Sequence, residues 1–247
     1  MEALKLFIQS LFHKLGYHLS LRDKNVSLSD AYSEQQRLLS NKKVKIIFDI
    51  GAADGRTSEH YHQLFPNATI YAFEPLPKSF QKLKDFASDK KYIIPMNFAV
   101  SDNIGESQFH ISSLDDASSL LKGVKTGSSF DRHHEFKKTI NVKTITIEEV
   151  CKMFNIKEID IVKMDTQGAE LMALHGAKSL LMSKNISLIY SECQFIHLYK
   201  NSCQFYELNN FLDTIDYKLF NIYNLIHNQK GQLSWGDAIF IKKSITK

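Results

Sequence analysis

Phe48-Asp49-Ile50-Gly51-Ala52-Ala53-Asp54-Gly55 places a carboxylate ahead of a glycine-rich turn. Glycines at such a turn let the backbone fold tightly and let a ligand approach where a Cβ would intrude. The spacing is D-x-G-x-x-x-G, whereas a pyrophosphate seated on a helix N-terminus asks for G-x-G-x-x-G. Asp49 is therefore set to attract a cation. S-adenosylmethionine, which carries an α-ammonium and a sulfonium but no phosphate, answers that description. Gly51, Ala52, Ala53 and Gly55 are its candidate turn contacts, and a plain strand–helix turn is the alternative. Twenty-three residues after Gly51, Glu74 and Pro75 close the next apolar run. An acid there can accept both hydroxyls of a ribose, which S-adenosylmethionine and a nicotinamide dinucleotide share. Asn97 and Ala99 fall after a third run, where an adenine edge would lie.

A second cluster lies in Ile161-Val162-Lys163-Met164-Asp165-Thr166-Gln167-Gly168-Ala169-Glu170. Asp165 and Gln167 follow an apolar run and face the same crevice as the first turn, because ligands of open α/β sheets bind outside the C-terminal strand ends. Lys163, inside that run, reads either as a functional amine or as a snorkelling lysine paired with a neighbouring acid. Glu170 is a favourable charge in a first helical turn, and Glu192 is a further cleft acid or a solvated carboxylate. If the reaction removes a proton from a hydroxyl, Asp165 is the first candidate base. His133 or His134, descending from a loop, is the second, with a solvent-exposed pair as the alternative reading.

The elements that position these residues follow from hydrophobic pattern. Strand-length apolar runs alternate with stretches of helical period, the signature of a parallel sheet with crossover helices. Strands are expected at 45–50, 69–73, 92–96, 159–164 and 186–190, the third at an edge because Pro95 cannot donate to a ladder. Helices are expected from about Arg56, through Phe80, Leu83 and Phe86, after Thr146-x-x-Glu149 with its capping-box spacing, along Leu171, Leu174, Ala177 and Leu181, and from about Phe205 to Ile215. A hairpin strand is expected at 107–111, with regular structure resuming at 140–144. The closing runs 217–222 and 237–241 are joined too briefly for a crossover helix and should be antiparallel. The expected class is thus α/β: a seven-stranded Rossmann-like sheet, mostly parallel with an antiparallel terminal hairpin, helices on both faces and an N-terminal helical extension. Residues 1–40 form that extension and 41–247 the ligand-binding domain. The Ser-, Gly- and Lys-rich stretch 112–139 reads as a lid or acceptor loop.

Composition narrows the partners. With 43% apolar and 23% charged residues the chain is rich enough in core formers to fold. Its net charge of +4 is mostly lysine, since only Arg22, Arg37, Arg56 and Arg132 are arginine. Nucleic acid, which favours the bidentate arginine fork, is not expected as a partner. No apolar run reaches the length of a membrane span. The opening Met1-Glu2-Ala3-Leu4-Lys5 lacks the features of a secretory signal, and three cysteines without C-x-x-C spacing read as reduced thiols, so the expectation is a cytoplasmic protein without a metal. Leu4, Phe7, Ile8, Leu11, Phe12 and Leu15 form an amphipathic stripe that would pack on the domain, on a second subunit of a homo-oligomer or peripherally on a membrane surface.

Taken in order, Asp49-x-Gly51, Phe73-Glu74-Pro75, Asn97-x-Ala99-Val100-Ser101-Asp102-x-x-Gly105, Ser118-Ser119-Leu120 and Val162-Lys163-Met164-Asp165-x-x-Gly168-Ala169-Glu170 resemble the FkbM-type methyltransferases across residues 44–242. The resemblance implies a class I S-adenosylmethionine-dependent fold and O-methylation, commonly of sugar hydroxyls or carboxyls in bacterial surface glycans or of hydroxyls in natural products. Two positions depart from the family pattern: Ala53 or its neighbour, often Asn, and Gln167, often Glu, which removes a charge from the cleft. The competing classes are a nicotinamide oxidoreductase, which would reuse Glu74 and the first turn, and a catalytically silent binding module.

Overall fold

Apolar runs and the turns between them set the order of elements in the computed structural model, which describes residues 30–113, 117–125 and 136–243, the side chain of Phe136 excepted. The chain divides into two units, Met1–Asp30 and Ala31–Lys247, and every described helix and strand belongs to the second. The stripe at 4–15 lies outside the described residues, as do His133 and His134. In chain order, α1 (Ala31–Leu38), β1 (Ile46–Ile50), α2 (Arg56–Leu64), β2 (Thr69–Phe73), α3 (Pro77–Phe86) and β3 (Ile93–Met96) come first. β4 (Ala99–Val100), β5 (Gly105–Ser112), β6 (Phe136–Ile145), α4 (Ile147–Met153) and β7 (Ile159–Met164) follow. α5 (Glu170–His175), α6 (Lys178–Met182), β8 (Ile186–Gln194), α7 (Phe205–Thr214), β9 (Tyr217–His227) and β10 (Leu233–Lys242) complete the domain.

Seven strands form one sheet in the order β3-β2-β1-β7-β8-β10-β9. The first five are parallel and β10 runs antiparallel to both its neighbours. The chain moves outward from β1 to β3 and then returns to the other side of β1 as β7. That reversal opens a crevice outside the C-terminal ends of β1 and β7, where a ligand of an open α/β sheet binds. β3, with Pro95, takes the edge as expected. The fold is the predicted α/β sheet with its antiparallel ending.

Two expectations need correction in extent. β5 and β6 pair from Gly105↔Thr144 to Ser112↔Phe136, so strand takes in Ser112 and residues 136–139 at the two ends of the predicted loop, and with β4 they make a separate three-stranded sheet. The helix after β7 is broken into α5 and α6 at Gly176 and Ala177. A Cβ on Gly176 would stand 2.2 Å from the carbonyl oxygen of Ser101, and the Gly176 carbonyl accepts from Glu148 N at 3.0 Å. Close contact with the segment after β4 thus pins the chain at the break. Leu174, Ala177 and Leu181 of the predicted face are nevertheless fully buried, and Leu171 is half-buried. Thr146 caps α4 through its Oγ1, which accepts from Glu149 N at 3.1 Å.

Strand alternation sorts the core into two faces. Phe48, Ile50, Val162, Met164 and Ile189 pack on one, and Ile47, Ile161, Leu188 and Ile239 pack on the other with Ala31, Leu39 and Tyr61. Asp49 and Lys163 stand opposite each other in the β1–β7 register. Both are buried and form an ion pair at 3.2 Å. Lys163 Nζ also donates to the Gly51 carbonyl at 3.0 Å, and Ser58 Oγ donates to Asp49 Oδ2 at 2.7 Å. Burial pulls the lysine pKa down, but Asp49 and then Asp165 outweigh it, so the ammonium is held charged above its ordinary range. Of the two readings of Lys163, the amine paired with a neighbouring acid is the one observed.

Replacing one partner of a buried pair strands the other charge at about 3–5 kcal/mol. Lys163→Met should therefore lower Tm by roughly 10 °C in thermal unfolding followed by circular dichroism. Adding Asp49→Asn should restore much of the loss. A Lys163→Met chain that melts with the wild type would remove this pair from the list of structural ties.

Candidate active site

The turn after β1 is strained in the way its sequence allows. Gly51 and Gly55 have φ of 78° and 90°, and Ala53 takes φ 49°, which for a residue with a Cβ costs about 1 kcal/mol or more. A Cβ on Gly51 would lie 2.1 Å from the Asp165 carbonyl oxygen, and one on Gly55 would meet Leu83 and Phe86 of α3 at 2.8 and 2.9 Å. The turn's amides are used internally. Gly51 N and Ala52 N donate to the Phe73 carbonyl at 3.0 and 2.9 Å, and Gly55 N to the Ala52 carbonyl at 2.8 Å. Ala53 N donates to Glu74 Oε2 at 3.1 Å. None of these four is left for a phosphate, so the turn is not a pyrophosphate cradle.

Glu74, at the end of β2, is fixed by the same bond and by Leu76 N, which donates to its Oε1 at 2.8 Å. Asn97 Nδ2 braces this corner by donating to the carbonyls of Glu74 and Pro75 at 2.8 and 3.1 Å. Burial pushes the Glu74 pKa up to about 7, against the opposing pull of the two amides. Below about pH 7 the protonated form is thus favoured. The resulting stability is complete below the ordinary carboxylate range and is lost as pH rises through about 7.

A cavity of about 390 Å³ opens outside β1, β2 and β7, within the range that takes cofactor-sized ligands. Of the sequence candidates, Gly51, Ala53, Glu74, Pro75, Ala99 and Asp165 line it. Asp49, Ala52, Gly55 and Asn97 do not: Asp49 is held by Lys163, Ala52 packs in the core with Ala72 and Leu83, Gly55 fits against α3, and Asn97 buttresses the wall from behind. Sequence reading missed the apolar strip of Phe98, Val100 and Phe109, because such residues look like any core position. It also missed Ser79, Lys82 and Thr166 on the wall. The charged lining is Asp54, Glu74 and Asp165 against Lys82 alone. Asp165 and the Arg56-paired Asp54 beside a single lysine, joined by Glu74 once it ionises above about pH 7, suit a cationic ligand, and the apolar strip suits a flat ring.

At the far end, Gln167 ties the wall together. Its Nε2 donates to Asp165 Oδ1 at 2.7 Å and to Glu192 Oε1 at 3.2 Å. Its Oε1 accepts from the Tyr199 hydroxyl at 2.8 Å. Ser119 Oγ donates to the carbonyls of Thr166 and Gln167 at 3.1 and 2.9 Å, so the Ser118-Ser119-Leu120 motif is clamped to the mouth, with Ser118 and Leu120 on the cavity wall. Glu170 is buried beneath this turn and accepts from Thr166 N, Thr166 Oγ1 and Gly168 N at 3.0, 2.9 and 3.2 Å. It organises the turn and does not face the cavity.

The model for the FkbM methyltransferase domain matches residues 49–219. The 2-O-methyltransferase NoeI of Sinorhizobium fredii is 29% identical over 168 residues, covering 66% of this chain and 68% of that protein. The hexuronic acid methyltransferase AglP of Haloferax volcanii is 27% identical over 146 residues, 58% of this chain and 54% of that protein, so the match spans about half of that relative. Among solved structures, precorrin-6y C5,15-methyltransferase of Geobacter metallireducens has 11% identity and a TM-score of 0.45, covering 91% of this chain and 94% of that one. The family match runs without a break from the β1 turn through Glu74 and Asp165 to the start of β9, and the chain accordingly belongs to the FkbM methyltransferases, whose methyl donor is S-adenosylmethionine.

Proposed function

We propose that this chain transfers a methyl group from S-adenosylmethionine to an oxygen of a sugar in a bacterial surface glycan or its precursor. The observation that carries the reading is the acid-lined cavity beside a turn whose amides are already used, which favours a cationic, phosphate-free nucleoside over a dinucleotide. A 2-O-methyltransferase and a hexuronic acid methyltransferase among its relatives support oxygen as the acceptor atom and a sugar as its carrier.

When bound, the donor supplies a methyl carbon already activated by its sulfonium. The chain supplies position and charge. Glu74 accepts the ribose hydroxyls, and the strip of Phe98, Val100 and Phe109 covers the adenine. Asp165, half-buried at the end of β7, takes the proton from the acceptor hydroxyl. Ser119 holds the segment bearing Leu120 over the mouth and limits water. Alignment of acceptor, methyl and sulfur contributes several kcal/mol, up to about 7–11 in the best-oriented reactions. Asp49 acts through Lys163 by fixing the Gly51 carbonyl. We place the protein in the cytoplasm, in keeping with three free buried thiols and with no described helix long and apolar enough to cross a membrane.

Ribose hydroxyls donate best to an ionised carboxylate. With the free-protein pKa of Glu74 near 7, the affinity for S-adenosylhomocysteine measured by calorimetry should fall about tenfold from pH 8 to pH 6, with proton release on binding near neutrality. Glu74→Gln should weaken binding and flatten that dependence. A wild-type affinity that stays constant across this window would separate Glu74 from the ribose.

Asp165→Asn should lower methyl transfer by about 10²–10⁴-fold and leave S-adenosylhomocysteine affinity within a few-fold of wild type. The test is mass spectrometry of surface glycans from cells carrying either chain, paired with calorimetry of the purified proteins. If the methyl increment persists while cofactor affinity drops, Asp165 is a cofactor ligand and not the base.

A further inference from the structure

The cavity runs along the strand ends in the order of the sheet. Asp165 follows β7, Gly51 follows β1, Glu74 follows β2 and Phe98 lies just past β3, and these four strands stand side by side. A donor with its sulfonium end toward Asp165 and its ribose on Glu74 therefore carries its purine toward β3 and the first turn of α3. The ring nitrogens of adenine are acceptors, and a buried acceptor left without a donor is costly. The polar groups just after β3 are committed elsewhere. Asn97 Nδ2 donates to the carbonyls of Glu74 and Pro75, and Phe98 N donates to the Met96 carbonyl at 3.0 Å.

The first turn of α3 holds the donor that this corner lacks. Ser79, the third residue of the helix, lines the cavity and is 8% exposed. Its Oγ opens to the cavity and has no hydrogen-bond partner among the described residues. A side chain at this helix position can accept from the N-cap amide, but Leu76 N already donates to Glu74 Oε1 at 2.8 Å. The hydroxyl thus has no local duty, and a polar group withdrawn from water is costly unless it is bonded. Lys82, one turn further along, is exposed at the rim, where solvent screens its charge. The buried hydroxyl is the group aimed at a ligand atom.

We propose that Ser79 is a specificity-determining residue of the donor site, donating its hydroxyl proton to a ring nitrogen of the adenine. The inference rests on the S-adenosylmethionine reading above and deepens it. Glu74 and Ser79 divide the nucleoside between them by hydrogen-bond sense. The ionised carboxylate only accepts and takes the ribose hydroxyls, whereas the serine hydroxyl can donate and takes a ring acceptor. Apolar walls such as Phe98, Val100 and Phe109 admit any flat ring of the right size. A site built to hydrogen-bond one ligand atom rejects the analogue lacking it far more strongly than apolar walls do.

The test is calorimetry of the full chain at about pH 8, where Glu74 is ionised, with S-adenosylhomocysteine and its 1-deaza, 3-deaza and 7-deaza analogues. Each analogue replaces one ring nitrogen by C–H. One of the three should bind the wild type about tenfold more weakly than S-adenosylhomocysteine, because the hydroxyl then faces a carbon. Ser79→Ala should also lose about tenfold for S-adenosylhomocysteine, yet bind that same analogue as well as the wild type does, so that the two losses do not add. Losses that add for all three analogues remove Ser79 from the ring edge while the donor site stands. A wild-type chain that binds no S-adenosylhomocysteine overturns the donor site and the Ser79 assignment together.

Discussion

A carboxylate and an ammonium, both shut away from water, join β1 to β7 at the mouth of the crevice. Burying two charges is expensive, and the pair holds only because its geometry and surrounding hydrogen bonds are good. Asp49 has Lys163 at 3.2 Å and the Ser58 hydroxyl at 2.7 Å, and Lys163 has the Gly51 carbonyl at 3.0 Å. A one-residue slip between the two strands would move each side chain to the opposite face and leave two lone charges in the core. The pair thereby fixes register, and register fixes how near the Gly51 backbone comes to Asp165. At the other end of the same strands Asp160 repeats the device, accepting from Lys45 N and Ile46 N at 2.7 and 2.9 Å and pairing with Lys42 at 2.7 Å. Two acid-centred ties, one at each end, hold the two strands whose ends frame the site.

The acids of this region divide by whether their lone pairs are already used. Asp49, Asp160 and Glu170 are buried and occupied by backbone amides, hydroxyls or lysines. They shape turns and cannot turn toward a ligand without abandoning those partners. Glu74 and Asp165 are held by donors yet still border the cavity. The backbone shows a parallel economy: amides that would serve a phosphate in a dinucleotide fold are here spent on Phe73, Ala52 and Glu74. The same stretch of chain cannot both close its turn this way and hold a pyrophosphate.

How much of this was legible in the sequence depends on whether the controlling interaction is local. The parallel strands announce themselves as apolar runs, the β3 edge through Pro95, and the cap of α4 through Thr146 and Glu149, because each signal lies within a few residues. The partner of Asp49 is 114 positions away and is identified by the β1–β7 pairing. A reading of Asp49 as a lure for a ligand cation is natural until that register is known. The break at Gly176 has the same character, since the Ser101 carbonyl that occupies its Cβ space belongs to a distant segment. The early start of β6 at Phe136 is set by its partner β5 and not by its own polar, lysine-rich composition. Glu74 was readable because strand end and acid coincide in sequence, whereas Phe98, Val100 and Phe109 were not, because an apolar side chain on a cavity wall carries the same pattern as one in the core.

Gln167 shows how a single departure from a family pattern can be understood from hydrogen-bond inventory. The resemblance leads one to expect glutamate here, and a glutamate would bring a third carboxyl group against Asp165 and Glu192. The amide removes one charge and donates to both neighbours from one nitrogen. Its orientation is not free, because turning the amide over would aim its oxygen at two carboxylates and its nitrogen at the Tyr199 hydroxyl. Tyr199, whose single hydroxyl proton lies between Gln167 Oε1 and the Ala117 carbonyl at 2.9 Å, links that orientation to the segment above the mouth. Ser119 secures the same segment to the Gln167 backbone, which sits at φ 57°. The strained turn, the segment over the cavity and the pair of acids are thus interdependent. A side chain that satisfies all three at once is confined to one that offers a donor and an acceptor from a single planar group, which is what glutamine does.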